Sequence, residues 1–382
     1  MQLIYFDNSA TTSIYPEALE EMNRIYKDFY GNPSSLHRLG SNAEKILQKA
    51  RETIAKTLSV SDDEIFFTSG GTESNNWAIK GSARANRRKA SRILTTKTEH
   101  PSAIECFSYL ETEGFSPELL DVNPDGVLDP YLVSEKINEK TSLISFILVN
   151  NETGAMQNLD EVIRAVRHKN PDTLIHIDGV QAYGKIPLNL SKTDADLVSI
   201  SAHKIHGPKG CGALYIRKNT RIRPILHGGG QEAKYRSGTE NVPAIHAFAT
   251  AAEIIHERMD ENRKNCKMLK NIIIDELTKE FGRDGFFVNS PDNAYEGILN
   301  ISFPGVKAQV LMHHLEARNI FVSTGSACSS RKSVQSHVLK AMNLPKVNIE
   351  GAIRLSFSGF NTANEAISFT KAIREIIPVI RY

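Results

Sequence analysis

Lys204 closes the run Ser201-Ala202-His203-Lys204 and is followed by the loop Gly207-Pro208-Lys209-Gly210. Upstream, Ile175-His176-Ile177-Asp178 reads as a short strand with a carboxylate at its end. A lysine after one strand and a carboxylate at the end of another are two groups that a pyridoxal phosphate (PLP) site requires. The lysine holds the aldehyde as a Schiff base, and the carboxylate keeps the pyridine nitrogen protonated so that the ring can accept electrons. A single lysine after a strand is ordinarily a solvated surface residue. The rest of the chain must therefore carry the reading.

Phe67-Thr68-Ser69-Gly70-Gly71-Thr72-Glu73-Ser74-Asn75-Asn76 reads as a strand, a Gly-rich turn and a helix start. Backbone N–H groups at a helix start attract a phosphate, and glycine lets the backbone approach it closely. Gly71 and the hydroxyl of Thr72 belong to this turn, and Ser201 and His203 flank the lysine as further donors to the same phosphate. A Gly-Gly-Thr turn alone is usually only a helix cap, and it gains meaning in series with Asp178 and Lys204. His100 follows Thr98-Glu99 directly after a strand, where an imidazole can stack on a flat ring and shuttle protons. Gln181, three residues beyond Asp178, can hydrogen-bond the phenolic oxygen of such a ring. Asn150-Asn151-Glu152 follows another strand and puts an amide toward the same crevice.

Two residues point to substrate chemistry. Arg354, in a strand-like stretch, is a candidate bidentate clamp for the α-carboxylate of an amino acid, although a strand arginine is more often a surface residue. Cys328 lies in the small, polar segment Ser323-Thr324-Gly325-Ser326-Ala327-Cys328-Ser329-Ser330-Arg331, with Lys332 beyond it. Nearby cations favour its thiolate. Cys106, Cys211 and Cys266 read as structural, since most free cysteines behave as small buried hydrophobes. The four thiols form no CxxC pair and match neither a zinc site nor a disulfide framework, so no metal is expected and a reducing cytoplasm is.

The elements that must position these groups alternate. Strands are expected at 64–68, 91–96, 143–149, 174–177, 197–201 and 212–216, with helices over 73–87 and 160–169. Short apolar strands with helices between them favour an α/β fold with a buried, mostly parallel sheet, which binds ligands at its carboxyl edge. A helical stretch over 242–280 leads into an α+β pattern: strands near 297–303, 320–323 and 353–357, with helices over 307–318 and 364–377. The division expected is a large domain over 15–255 and a small one formed by 1–14 and 256–382, which carries the Cys328 loop. The 382 residues suffice for two cores, and a net charge of +2 without charged blocks advertises neither a nucleic-acid nor a membrane surface. No apolar run approaches the roughly 18 residues of a membrane helix, and the N-terminus has no signal-peptide pattern.

Taken together the motifs resemble the NifS/IscS-like cysteine desulfurases of the class V aminotransferase family. The resemblance runs from Asp7-Asn8-Ser9-Ala10-Thr11-Thr12 and Gly31-Asn32-Pro33-Ser34-Ser35-Leu36-His37 through Thr68 to Asn76, Thr98-Glu99-His100 and Val149 to Gly154. It continues through His176 to Gln181, Ser201 to Gly210, Gly228 to Glu232 and Arg236-Ser237-Gly238-Thr239, and ends with Gly325-Ser326-Ala327-Cys328 and Arg354-Leu355-Ser356.

The resemblance implies a PLP fold type I homodimer with a seven-stranded sheet and a smaller C-terminal α+β domain. It implies Lys204 as the Schiff-base lysine, Asp178 as the pyridinium partner and His100 as the stacking residue. Gly71, Thr72, Ser201 and His203 would hold phosphate, and Gln181 would hold the ring oxygen. Thr239 would reach the phosphate of the neighbouring subunit's cofactor, and Asn151 and Arg354 would grip the substrate carboxylate. The Gly-Ser-Ala-Cys pattern resembles the group with a long cysteine loop. Many relatives carry alanine where this chain has Gly71, a small change expected to leave phosphate binding intact.

The implied activity converts L-cysteine to L-alanine, with sulfur passing to Cys328 as a persulfide. A protein acceptor would follow, an iron–sulfur scaffold or a tRNA-thiolation enzyme. The rival readings are a selenocysteine lyase or another PLP-dependent transaminase or lyase, and a non-catalytic sulfur-carrier scaffold.

Overall fold

The computed structural model describes residues 3–282, 284–324 and 335–381. Its strands in chain order are β1 (Ile4–Tyr5), β2 (Ile65–Thr68), β3 (Arg92–Thr96), β4 (Ser116–Leu120), β5 (Thr141–Ile147) and β6 (Leu174–Asp178). They continue with β7 (Leu197–Ser201), β8 (Gly212–Ile216), β9 (Phe287–Val288), β10 (Ile298–Ser302), β11 (Ile320–Phe321) and β12 (Ala352–Ser356). Seven of them form one sheet in the order β2-β8-β7-β6-β5-β3-β4. Only β8 runs against its neighbours. Every residue of β5, β7 and β8 is buried, as strands covered on both faces require.

Register sets the site. Asp178 pairs with Ile147 on one side and Ser199 on the other, so its carboxylate stands at the carboxyl edge of three adjacent strands. Ser201 and Thr68 both pair with Gly212, which aligns the end of β7, the start of β8 and the end of β2. The Gly-rich turn and the Lys204 turn thereby lie side by side. A Cβ at position 212 would sit 2.7 Å from Gly70 Cα, so only glycine there lets the turn after β2 close over the sheet edge.

A separate antiparallel sheet, β12-β10-β9, lies under the helices Met259–Phe281 and Ala363–Ile380. Its hydrophobic cluster includes Ile4 and Phe6 together with Leu299, Ile353 and Phe369, and β1 pairs with β11. The chain's start thus packs with its end. Among the described residues no helix is long and apolar enough to cross a membrane.

Three expectations differ from the structure. The helix expected over 73–87 begins at Gly71 and is interrupted by a π turn, Trp77–Gly81. There the Gly81 carbonyl accepts from Arg223 N, and the Trp77 indole donates to the Arg223 carbonyl, so a neighbouring loop competes for the helix. The stretch over 242–280 is two helices, Val242–Glu257 and Met259–Phe281, parted at Arg258. β4 was not expected: Ser116-Pro117-Glu118-Leu119-Leu120 is a half-exposed edge strand, the one setting that tolerates proline and a charge.

Candidate active site

The turn after β2 has Gly70 at φ 143°, a conformation side chains rarely adopt. The helix start beyond it is tied down by Thr68 Oγ1, 2.8 Å from Ser74 Oγ, which in turn donates to the Ala213 carbonyl. Glu73 accepts from Ser69 N and is paired with Arg236 at 2.8 Å. Ser201 Oγ faces this turn, 3.7 Å from where a Cβ at Gly70 would lie, and is buried without a hydrogen-bond partner. A buried hydroxyl without a partner costs free energy unless something else fills its place. Thr72 is exposed at the same turn. A Cβ at Gly71 would lie 2.7 Å from Val180 Cγ2, so with valine there this helix start has less room than the alanine comparison implies.

Asp178 is buried and accepts from Asn75 Nδ2 at 2.7 Å and from Val180 N at 3.0 Å. Each carboxylate oxygen keeps a lone pair for a further donor. His100 caps the helix Pro101–Thr112 and lies beside this carboxylate, with Nδ1 accepting from Ser102 N at 3.1 Å. Burial pushes its pKa down, Asp178 pulls it up, and the nearby charge of Lys204 lowers it again. The net direction is toward a neutral ring.

Lys204 follows β7 in a short 3-10 turn, and its ammonium donates to the carbonyls of Ser9 at 2.6 Å and Ala10 at 2.7 Å. His203 lies against Thr11 Oγ1 at 3.2 Å, and burial together with the Lys204 charge lowers its pKa to about 4. Gln181 donates through Nε2 to the same Ser9 carbonyl at 2.9 Å.

Arg354, on β12, is buried rather than at the surface. Its guanidinium donates to Asp7 Oδ1 at 2.6 Å and to the Asn151 carbonyl at 3.0 Å, while its Nε has no partner. Asn150 uses its amide inside the fold, donating to the Thr98 carbonyl and accepting from the backbone of Glu152 and Thr153. The half-buried Asn151 lies next in the chain and gives Arg354 its backbone carbonyl. The segment Asp7 to Ala10 links the two cores, because Asp7 holds Arg354 while Ser9 and Ala10 hold Lys204.

Thr239 is exposed, on a loop that Arg236 ties to Glu73 of the glycine turn. Cys328 falls within 325–334, outside the described residues. The other three thiols are buried and pushed up, Cys106 to about 11, Cys211 to about 12 and Cys266 to about 12, chiefly by loss of solvent.

Sequence reasoning assigned no role to three residues at this site. Asn75 holds Asp178, Asp7 holds Arg354, and Lys185 donates to Gln181. Asn75 and Asp7 lie inside motifs already singled out, but their partners are 103 and 347 residues away, beyond any local pattern. The donor set suits a flat, phosphorylated pyridine. A carboxylate stands ready for a ring nitrogen, an imidazole lies beside it, and a glycine turn faces an unsatisfied hydroxyl.

The family model for class-V aminotransferases matches residues 4–369. A protein named cysteine desulfurase IscS from Methanosarcina thermophila is 38% identical over 378 residues, covering 99% of this chain and 93% of that protein. Another of the same name, from Dictyoglomus turgidum, is 40% identical over 375 residues, 98% of this chain and 94% of that one. The solved structure of a NifS-like protein superposes with a TM-score of 0.94 at 40% identity, covering 99% of this chain and 100% of the other. A NifS-like protein from Rickettsia africae superposes at 0.88 with 31% identity, over 99% and 100% of the two chains.

Proposed function

We propose that this chain, which belongs to the class-V aminotransferase family, is a PLP-dependent cysteine desulfurase. It converts L-cysteine to L-alanine and transfers the sulfur to the Cys328 thiol as a persulfide. The observation that supports this most is the bridge made by Asp7 to Ala10: one short segment holds both the candidate anchoring lysine and the candidate carboxylate clamp.

When bound, PLP supplies an electron sink for the charge left at the substrate Cα. Lys204 would anchor it, and its amine would take the proton from the substrate Cα. Asp178, held by Asn75, keeps the ring nitrogen protonated. Gly71 N–H, the hydroxyls of Thr72 and Ser201 and the ring of His203 would hold the phosphate, while Gln181 would donate to the ring oxygen. His100 would lie against the ring, and burial, which favours its neutral form, would let it relay protons at the substrate thiol. Arg354 and Asn151 bind the α-carboxylate. The Cys328 thiolate attacks the substrate sulfur; the carbon–sulfur bond breaks as the sulfur–sulfur bond forms, and the proton lost from the thiol ends on alanine. L-cysteine plus one protein thiol thus gives alanine plus one protein persulfide.

The working unit is a homodimer in which Thr239 reaches the phosphate held by the other subunit. In the cytoplasm the persulfide passes to a protein acceptor, for iron–sulfur assembly or tRNA thiolation. Transfer of labelled sulfur from the loaded enzyme to each class of acceptor distinguishes these destinations. For the nucleophile, Cys328→Ala is expected to keep the visible PLP absorbance while releasing neither sulfide nor alanine from cysteine and a reductant. Sustained alanine formation by that variant would reject the assignment.

A further inference from the structure

Gly184-Lys185 follows the turn that leaves β6. Lys185 points inward, onto the wall of a cleft that Lys204, His206, Arg263, Cys266 and Tyr295 also line. Its ammonium donates to Gln181 Oε1 at 2.5 Å. Gln181 Nε2 donates to the Ser9 carbonyl at 2.9 Å, and the Lys204 ammonium donates to that same carbonyl at 2.6 Å. A chain of contacts therefore runs from Lys185 through Gln181 and Ser9 to Lys204.

The chemistry of this chain has one direction. An ammonium carries three donors and no acceptor, whereas an amide offers a donor end and an acceptor end. Facing Lys185, Gln181 must present its oxygen. Its NH2 is then left for the Ser9 carbonyl and the crevice beyond. The opposite orientation would set Nε2 against the ammonium and Oε1 against a carbonyl, two repulsions at once. We infer that Lys185 is a positioning residue that fixes the Gln181 amide with its donor end toward the site, where it meets the ring oxygen of PLP. This inference rests on the PLP reading given above and adds the group that sets the sense of one cofactor contact.

A lysine in this place carries a cost, which is why a role is worth seeking. Burial, with the charges of Lys204 and Arg354 nearby, lowers the Lys185 pKa to about 7, partly offset by Cys266. A methionine would fill the same space without that cost. As a neutral amine Lys185 also gains a lone pair, but it keeps hydrogens for Oε1, and the Ser9 carbonyl, which can only accept, holds Nε2 in the same sense.

The test is a pH titration of the visible absorbance of the PLP-loaded holoenzyme. Loss of a donor to the ring oxygen, and of a neighbouring cation, both favour the protonated form of the bound cofactor. Lys185→Met is expected to move the midpoint upward by about half a pH unit or more. Lys185→Leu, a second variant without a donor if methionine does not fold, should move it the same way. Lys185→Arg, also a pure donor, should stay near the wild-type midpoint. In a Gln181→Leu background, Lys185→Met should add little beyond the electrostatic part, because the amide through which Lys185 acts is gone. A wild-type midpoint in the folded Met or Leu variant, or full additivity with Gln181→Leu, would overturn the inference. A wild-type protein that stays colourless with PLP would instead remove the reading on which it rests.

Discussion

The two walls of the crevice are built differently. The wall on the large sheet is tied down before anything binds: Asp178 receives two hydrogen bonds, from Asn75 and Val180, the Gly70 turn is tied to Ser74 and Glu73, and the Ser201 hydroxyl is left for an incoming group. The wall on the small sheet is provisional. Arg354 leans on Asp7 and a backbone carbonyl, and its buried Nε has no partner. A group that stays bound through many turnovers rewards a rigid, pre-paired floor. A substrate that arrives and leaves each cycle rewards a clamp whose resting partner can be shared or displaced. On the proposed function, the first wall would seat the resident cofactor and the second would grip the transient substrate.

The contrast can be broken most sharply at Asp178. Asp178→Asn keeps the size of the side chain but removes its charge, and one of its ends must now meet the Asn75 amide. We expect kcat for alanine formation to fall by about 10²–10³-fold, with PLP retained less well and KM for cysteine little changed. A fall confined to KM would show that this wall serves the substrate instead.

Arg354→Lys tests the other wall and should cost less. The charge beside Asp7 survives, but the fork that grips a carboxylate through two parallel bonds is lost. KM for L-cysteine should rise by about tenfold or more while the PLP spectrum and its pH midpoint remain those of the wild type. A changed spectrum with an unchanged KM would place Arg354 with the cofactor and erase the distinction between the walls.

These two walls were unequally legible in the sequence. Asp178 and Lys204 stand at strand ends, and apolar runs bounded by turns announce strand ends locally. The order in which those strands line up became visible only in the fold. Arg354 reads as an arginine in a strand, and nothing near it signals burial; its partner Asp7 is 347 residues upstream and meets it only because β1 packs into the second core. Lys185 was passed over for the same reason, since its cleft is closed by Cys266 and Tyr295 from distant elements. The edge strand β4 and the π turn at Trp77 were missed because a solvent-facing edge and a competing loop, not propensity, decide them. Local periodicity reports elements; partners that neutralise a buried charge are a property of the closed fold.

A gentler probe asks what makes the floor rigid. Glu99, next to His100, accepts from Thr96 Oγ1 at 2.6 Å and from Ile147 N at 3.0 Å, so it fastens the end of β3 to the end of β5. It is fully enclosed, and burial, with the nearby Asp178 charge, raises its pKa to about 8 against the opposing pull of its hydrogen bonds. A carboxyl whose folded pKa is raised contributes stability that is fully present below its unfolded value near 4.5 and is lost as pH rises through about 8. Glu99→Gln keeps the acceptor for Ile147 and cannot ionise. Its melting temperature should therefore match the wild type within about 2 °C at acidic pH and exceed it by about 2 °C or more at pH 9. If both proteins lose stability equally between about pH 4.5 and 8, the fastening does not depend on a neutral acid. The rigidity of the cofactor wall would then have to come from the Asn75–Asp178 contact and the Gly70 turn.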